Sequence, residues 1–238
     1  MDVTDHKRRL VNCLRIMERE GLFELTYGHM SCRHPTEQGR FLILGNLHDR
    51  GMHIADVTVD GIVTMDERGE TLPGEVDGPG ERFIHLGAYA ARPDVHAVVH
   101  CHPPLSTSFS VAGVEILPVD HLGLIFTPSV PIHDYSGQVD TPQKGAAVAE
   151  TLGDRTAVLL RSHGVAVVGD DIEKACLATL ALERTAAMQL HASQIGTPRP
   201  VPPEYTMDGG RFSEGLDEKE YFETAWAYYA WKYKTSLM

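Results

Sequence analysis

The stretch Asp94-Val95-His96-Ala97-Val98-Val99-His100-Cys101-His102-Pro103-Pro104 decides the reading of this 238-residue chain. Its apolar, β-prone residues predict a buried strand over 95–102, ended by the two prolines. Side chains two apart on a strand share a face. His100 and His102 therefore leave the strand together near its tip, as two nitrogen donors able to reach one metal ion. Cys101 points the other way and reads as a core residue rather than a thiolate ligand. An isolated His-x-His is a weak signal, since such pairs also arise by chance. Two further segments strengthen it. Glu81 lies upstream in Gly78-Pro79-Gly80-Glu81-Arg82-Phe83-Ile84-His85, and His163 lies downstream in Arg161-Ser162-His163-Gly164. Both fall at breaks between regular elements, where side chains can converge.

Outward from that strand, the chain alternates helices and strands. An amphipathic helix is expected over 4–20, with Leu10, Val11, Leu14 and Met17 as its apolar stripe and Gly21 as its stop. Short strands are expected over 30–33 and 41–44, the second followed by the Gly45-Asn46 turn signal. Residues 56–65 predict one or two more strands, with Asp60-Gly61 as a hairpin candidate. A helix follows over 81–91, closed by Arg92-Pro93. Glu81 falls in its first turn, where the helix dipole favours an anion. On that feature alone it reads as a charge-complementing residue. Thr141-Pro142 opens a helix to Leu152. Strands over 156–160 and 165–168 flank His163. A long helix over 171–195 is capped by aspartates and buries Ala175, Cys176, Thr179, Leu182 and Ala186. Residues 196–210 read as a crossing loop. A final helix over 217–234 carries Tyr221, Phe222, Trp226, Tyr228, Tyr229, Trp231 and Tyr233, an aromatic load that calls for burial, here expected against a neighbouring subunit. Together these predict one α/β domain with a mostly antiparallel central sheet and helices on both faces, 196–238 being a C-terminal extension.

Composition narrows the function classes. A formal net charge of −12 disfavours nucleic acid or an anionic membrane as partner. No apolar run is long enough to span a bilayer, and no G-x-G-x-x-G or G-x-x-x-x-G-K segment supports a nucleotide site. Cys13, Cys32, Cys101 and Cys176 are scattered, which suits a reducing cytoplasm.

The segments Glu81-Arg82-Phe83-Ile84-His85, Ala91-Arg92-Pro93-Asp94-Val95-His96-Ala97-Val98-Val99-His100-Cys101-His102 and His163-Gly164 resemble the class II aldolase/adducin family, over roughly residues 7–195. The resemblance implies a single three-layer α/β/α domain, commonly a cyclic homotetramer with its site between subunits. It implies His100, His102 and His163 as metal ligands and Glu81 as the catalytic carboxylate. Three imidazoles leave a divalent ion with open positions, so it can serve as a Lewis acid. Zinc suits them best, with Fe2+, Mn2+ or Co2+ as alternatives.

The departures from the family's sugar-phosphate members are specific. Gly28-His29 replaces a Gly-Asn pair, Leu44-Gly45-Asn46 a Thr-Gly or Ser-Gly turn, Pro79-Gly80 a Ser-Ser pair, and His121-Leu122 stands where the aldolase carries a tyrosine. The Gly-His-x-Ser pattern, ending at Ser31, looks more like the family's decarboxylase branch. That implies a non-phosphorylated, hydroxylated aromatic or related carboxylic acid as substrate. Arg82, Arg33, His29 and His121 are candidates to hold its carboxylate, Ser31 is a further expected substrate contact, and Tyr135 and the terminal aromatics are expected pocket walls from the next subunit. The competing expectations are a class II aldolase acting on a hydroxy-keto acid, an iron-dependent oxygenase, and an adducin-like interaction module that keeps only the fold.

Overall fold

A computed structural model describes residues 2–47, 52–202, 211–212 and 216–233. The central sheet contains β1 (His29–Arg33), β2 (Arg40–Leu44), β3 (Ile62–Asp66), β4 (Ala97–Cys101), β5 (Ile132–His133), β6 (Ala157–Leu160) and β7 (Gly164–Gly169). Its order is β3-β2-β1-β4-β7-β6-β5. Strand β5 joins β6 in parallel, while the other neighbours run antiparallel. The sheet is thus mixed rather than purely antiparallel.

Alternation along the strands divides the apolar residues between two cores. Ala97, Val99 and Cys101 of β4 join Met30 and Cys32 of β1 beneath helices α1 (Val3–Arg19) and α5 (Ile172–Ile195). Val98 faces the opposite side, with Val158, Ala166 and residues of α2 (Phe83–Ala91) and α4 (Pro142–Leu152). The expected three layers follow, and Cys101 lies in the core as the alternation requires. Helices α2 and α4 cross closely because a Cβ on Gly87 would sit 2.3 Å from the Gly145 carbonyl oxygen, a distance no side chain tolerates.

Local chemistry sets the helix boundaries. The Thr141 hydroxyl accepts the Lys144 N–H at the start of α4, and the Asp171 carboxylate accepts the Lys174 N–H at the start of α5. Helix α3 (Pro104–Ala112) was not expected. Pro104 ends the strand region but also serves as a first helical residue, where its missing N–H costs nothing. Gly113, in the left-handed region at φ 71°, closes α3.

Several boundaries move from their expected places. Strand β4 ends at Cys101, which leaves His102 just beyond it. Helix α2 begins at Phe83, so Glu81 sits in the preceding turn. Residues 54–61 form two short 3-10 turns ahead of the single strand β3, and Asp60-Gly61 lies in the second turn rather than in a hairpin. In the expected crossing loop, residues 203–210 lie outside the described residues; before them, the Val201 N–H donates to the Pro118 carbonyl. A short antiparallel pair, β8 (Arg211–Phe212) and β9 (Leu216–Asp217), precedes the last helix, α6 (Glu218–Tyr233).

Helix α6 folds back on its own chain. Phe222 and Tyr229 join the α1/α5 core, and the Tyr233 hydroxyl donates to Glu20. Trp231 remains 76% exposed. Its aromatic load is therefore divided between the chain's own core and the surface. Among the described residues no helix is long and apolar enough to cross a membrane.

Candidate metal centre

Three secondary-structure junctions bring four side chains to one point. His100, on β4, faces the α2 side of the sheet, and its Nδ1–H donates to the Val165 carbonyl at 2.9 Å. That bond places the proton on Nδ1 and leaves Nε2 as a free donor of electrons. His102 follows the strand, with its Nε2 3.2 Å from that of His100. His163 occupies the turn between β6 and β7, which is held by its N–H to the Leu160 carbonyl and by Ser162 at φ 53°. The three ring centroids are each 5.0 Å apart.

Glu81 completes the group from the turn before α2. Its Oε2 lies 3.2 Å from His163 Nε2 and 3.5 Å from His100 Nε2. Its Oε1 accepts the Val139 N–H at 2.9 Å. Burial opposes ionisation of Glu81, but the facing His100 and His163 nitrogens and the Val139 N–H outweigh it and hold the carboxyl well below its usual range. His102 is pushed down to about 3, by burial first and by His100 and His163 second.

The donor set fits a divalent cation. The four ligand atoms all lie within 4.8 Å of one another. Two nitrogens bound tetrahedrally at about 2.0–2.1 Å stand about 3.3 Å apart, close to the 3.2 Å between His100 and His102. Imidazoles coordinate in the neutral form, and burial favours that form at His102. His163 Nδ1 is buried without a hydrogen-bond partner among the described residues, so no protein acceptor fixes its tautomer. Coordination through Nε2 would fix it.

Behind the four lies a buried polar chain. His29 pairs with His100 across β1 and β4, with ring centroids 5.1 Å apart. His29 Nδ1 is 2.6 Å from His85 Nε2, and His85 Nδ1 is 2.6 Å from the Ser31 hydroxyl. Ser31 in turn lies 2.7 Å from the Tyr89 hydroxyl. Burial lowers His85 to about 3, with the neighbouring His100 ring adding to it, and puts His29 well below its usual value. Burial likewise raises Tyr89 well above the usual phenol range. His85 and Tyr89 escaped the sequence reading. Their signal is present, as two polar residues one helical turn apart on the sheet-facing side of an apolar helix.

Other expected substrate contacts lie elsewhere in this chain. Arg33 is spent on backbone carbonyls, with Nε to Val95 and Nη2 to Tyr89 and Arg92. Arg82 turns away to the Pro79 carbonyl and packs over the Phe83 ring. His121 is exposed ahead of a 3-10 turn over Leu122–Phe126, and no described contact ties it to the cluster. Tyr135 is exposed beside Lys144. Glu183, unnoticed in the sequence, anchors the segment after His102. Its carboxylate accepts the Leu105 and Ser106 N–H groups and the Ser106 hydroxyl at 2.7–2.8 Å.

Residues 8–190 match the model of the class II aldolase and adducin N-terminal domain. The chain belongs to this family. Among the family's curated members it is 29% identical over 206 residues to a putative aldolase class 2 protein of Caulobacter vibrioides, covering 85% of this chain and 78% of that one. It is 28% identical to the 3,4-dihydroxyphthalate decarboxylase of Arthrobacter keyseri, covering 76% of each. It is also 28% identical to human beta-adducin, covering 77% of this chain but 26% of the adducin. Solved class II aldolase structures share the fold. An aldolase II superfamily protein from Pseudomonas syringae aligns at a TM-score of 0.81, with 22% identity over 99% of this chain and 94% of that one. The L-fuculose 1-phosphate aldolase from Glaciozyma antarctica PI12 aligns at 0.78, with 23% identity over 95% and 88%.

Proposed function

We propose that the protein is a metal-dependent carbon–carbon lyase that decarboxylates a non-phosphorylated, hydroxylated aromatic acid. The observation that carries this reading is one carboxylate, Glu81, held against three converging imidazole rings. His100, His102 and His163 would hold the ion, zinc by preference, with Fe2+, Mn2+ or Co2+ as alternatives. When bound, it supplies a Lewis acid that stabilises negative charge on an oxygen beside the breaking bond.

The chain's own residues account for the proton. Glu81, ionised in the free site, takes the proton of the substrate hydroxyl. The bond to the carboxylate breaks, its electron pair stays on the ring carbon, and carbon dioxide leaves. Glu81 returns the proton to that carbon. The Val139 N–H holds the second Glu81 oxygen, so the carboxylate is positioned before substrate arrives. His29, beside His100, is the substrate contact that the described chain provides for an anionic oxygen; Arg82 and His121 would have to be supplied by rearrangement or by a second subunit. The homotetramer expected of the family belongs to this reading, and the exposed Trp231 supports a subunit contact at α6.

Similarity to a dihydroxyphthalate decarboxylase over three quarters of both chains supports this chemistry, and the Gly28-His29, Pro79-Gly80 and His121-Leu122 departures from the sugar-phosphate members favour it over aldol cleavage. An adducin-like module has no use for the four converging side chains, yet all four are present. The test is carbon dioxide release from 3,4-dihydroxyphthalate and related hydroxylated aromatic acids by metal-loaded protein. Release is expected to vanish with a chelator and in His100→Ala, and to fall about 100- to 10,000-fold in Glu81→Gln. An aldehyde or pyruvate product without carbon dioxide, or release indifferent to His100→Ala, would overturn the reading.

A further inference from the structure

The buried chain behind the metal ligands has a direction. Tyr89 Oη has one partner among the described residues, the Ser31 hydroxyl at 2.7 Å. If Ser31 donated to Tyr89, the phenol's own hydrogen would be buried with no acceptor, which native structures avoid. Tyr89 therefore donates to Ser31. The single hydroxyl hydrogen of Ser31 then goes to its other partner, His85 Nδ1, at 2.6 Å. A ring that accepts at Nδ1 carries its proton on Nε2. His85 Nε2–H therefore donates to His29 Nδ1 at 2.6 Å. By the same rule His29 carries its proton on Nε2. That nitrogen makes no hydrogen bond among the described residues, on a ring 5.1 Å from that of His100.

We infer that Tyr89, Ser31 and His85 form a one-way hydrogen-bond relay that fixes His29 as its Nε2–H tautomer, making it a donor to an anionic substrate oxygen. This inference rests on the lyase reading for its ligand, a carboxylate or phenolate oxygen, but not for the state of the rings. The reverse direction would present a lone pair that repels such an oxygen and competes as a fourth imidazole ligand. The relay thus separates two kinds of histidine in one site. His100 is locked with its proton on Nδ1 by the Val165 carbonyl, and so coordinates. His29 is locked with its proton on Nε2, and so donates. Tyr89, Ser31 and His85 are positioning residues, acting only through His29. Register supports this division, since His29 and His100 are directly opposed on β1 and β4 but hydrogen-bonded to different layers.

Long-range proton–nitrogen correlation spectra of the full-length, uniformly nitrogen-labelled protein at pH 7.5 read these tautomers directly. In the wild type, the expected signals are Nε2–H for His29 and His85 and Nδ1–H for His100. An Nδ1–H pattern at His29, or one averaged over both nitrogens, would overturn the inference. In Tyr89→Phe, with its amide fingerprint retained, Ser31 is released to accept, so a second tautomer is expected to appear at both His85 and His29. The same variant, loaded with zinc to the wild-type content, is expected to raise KM for the acid more than it lowers kcat. An unchanged ring pattern in Tyr89→Phe would contradict the relay. If the wild-type rings show the stated pattern but no hydroxylated acid is decarboxylated, the lyase reading fails and the relay stands.

Discussion

Gly164 shows how little room the centre leaves. A Cβ there would lie 2.4 Å from the Cys101 carbonyl oxygen and 2.5 Å from His102 Cδ2. One contact is backbone and cannot yield, so the His102 ring must move. Gly164→Ala should therefore cost about 1–3 kcal/mol by overpacking, read as a shift in urea midpoint. It should also weaken metal affinity about 10- to 100-fold, as changes that re-aim a ligand do. Unchanged affinity would show that His102 is not a ligand. His100, His102, His163 and Glu81 were legible as residues because each sits in a short, patterned segment. His85, Tyr89 and Glu183 were not, because their meaning lies in partners 54 to 78 positions away. Arg33 was misleading for the same reason. Nothing local announces that its guanidinium is committed to three backbone carbonyls.

At the scale of elements, α3 begins immediately after His102 and Pro103, and its first N–H groups have no partner within the helix. Glu183 of α5 accepts two of them, from Leu105 and Ser106, and the Ser106 hydroxyl as well. The pairing ties the end of β4 to the longest helix, and an anion at a helix N-terminus is favourably placed in the dipole field. Glu183→Ala should lower stability by about 2–3 kcal/mol, since it strands buried donors, and should loosen His102. Urea unfolding measures the first effect; a fall in metal affinity without loss of fold measures the second. A variant as stable as the wild type would show that the α3 terminus finds other partners. Period-two patterning made β4, β6 and β7 readable. The double proline hid α3 because Pro104 can both end a strand and open a helix. Strand β5, two residues long, carries too few positions to show any period.

Across the whole molecule, the sheet separates an apolar core under α1 and α5 from a face that turns polar where His29, Ser31 and His100 meet His85 and Tyr89 of α2. Burying neutral histidines there links folding to pH. The unfolded His85 takes up a proton near pH 6.5, whereas the folded one does so near 3; His29 is shifted in the same direction. Between those values the unfolded chain binds more protons, so acid favours unfolding. Their contribution is fully present above pH 6.5 and is lost as pH falls toward 3, with a slope of about 1.4 kcal/mol per pH unit for each such group. Urea midpoints of the metal-free protein should therefore hold from pH 7.5 to about 6.5 and decline from there to pH 5. A flat or rising profile would mean that the buried rings are charged or rearranged.

The most direct test of the account is metal binding at equilibrium. Metal-free protein dialysed against zinc, and separately against manganese, iron(II) and cobalt, is expected to retain one tightly held ion per chain. His100→Ala, His102→Ala and His163→Ala are each expected to lose it while keeping the wild-type fold. A chain that holds none of these ions, or that holds one equally well with the three histidines replaced, would contradict it.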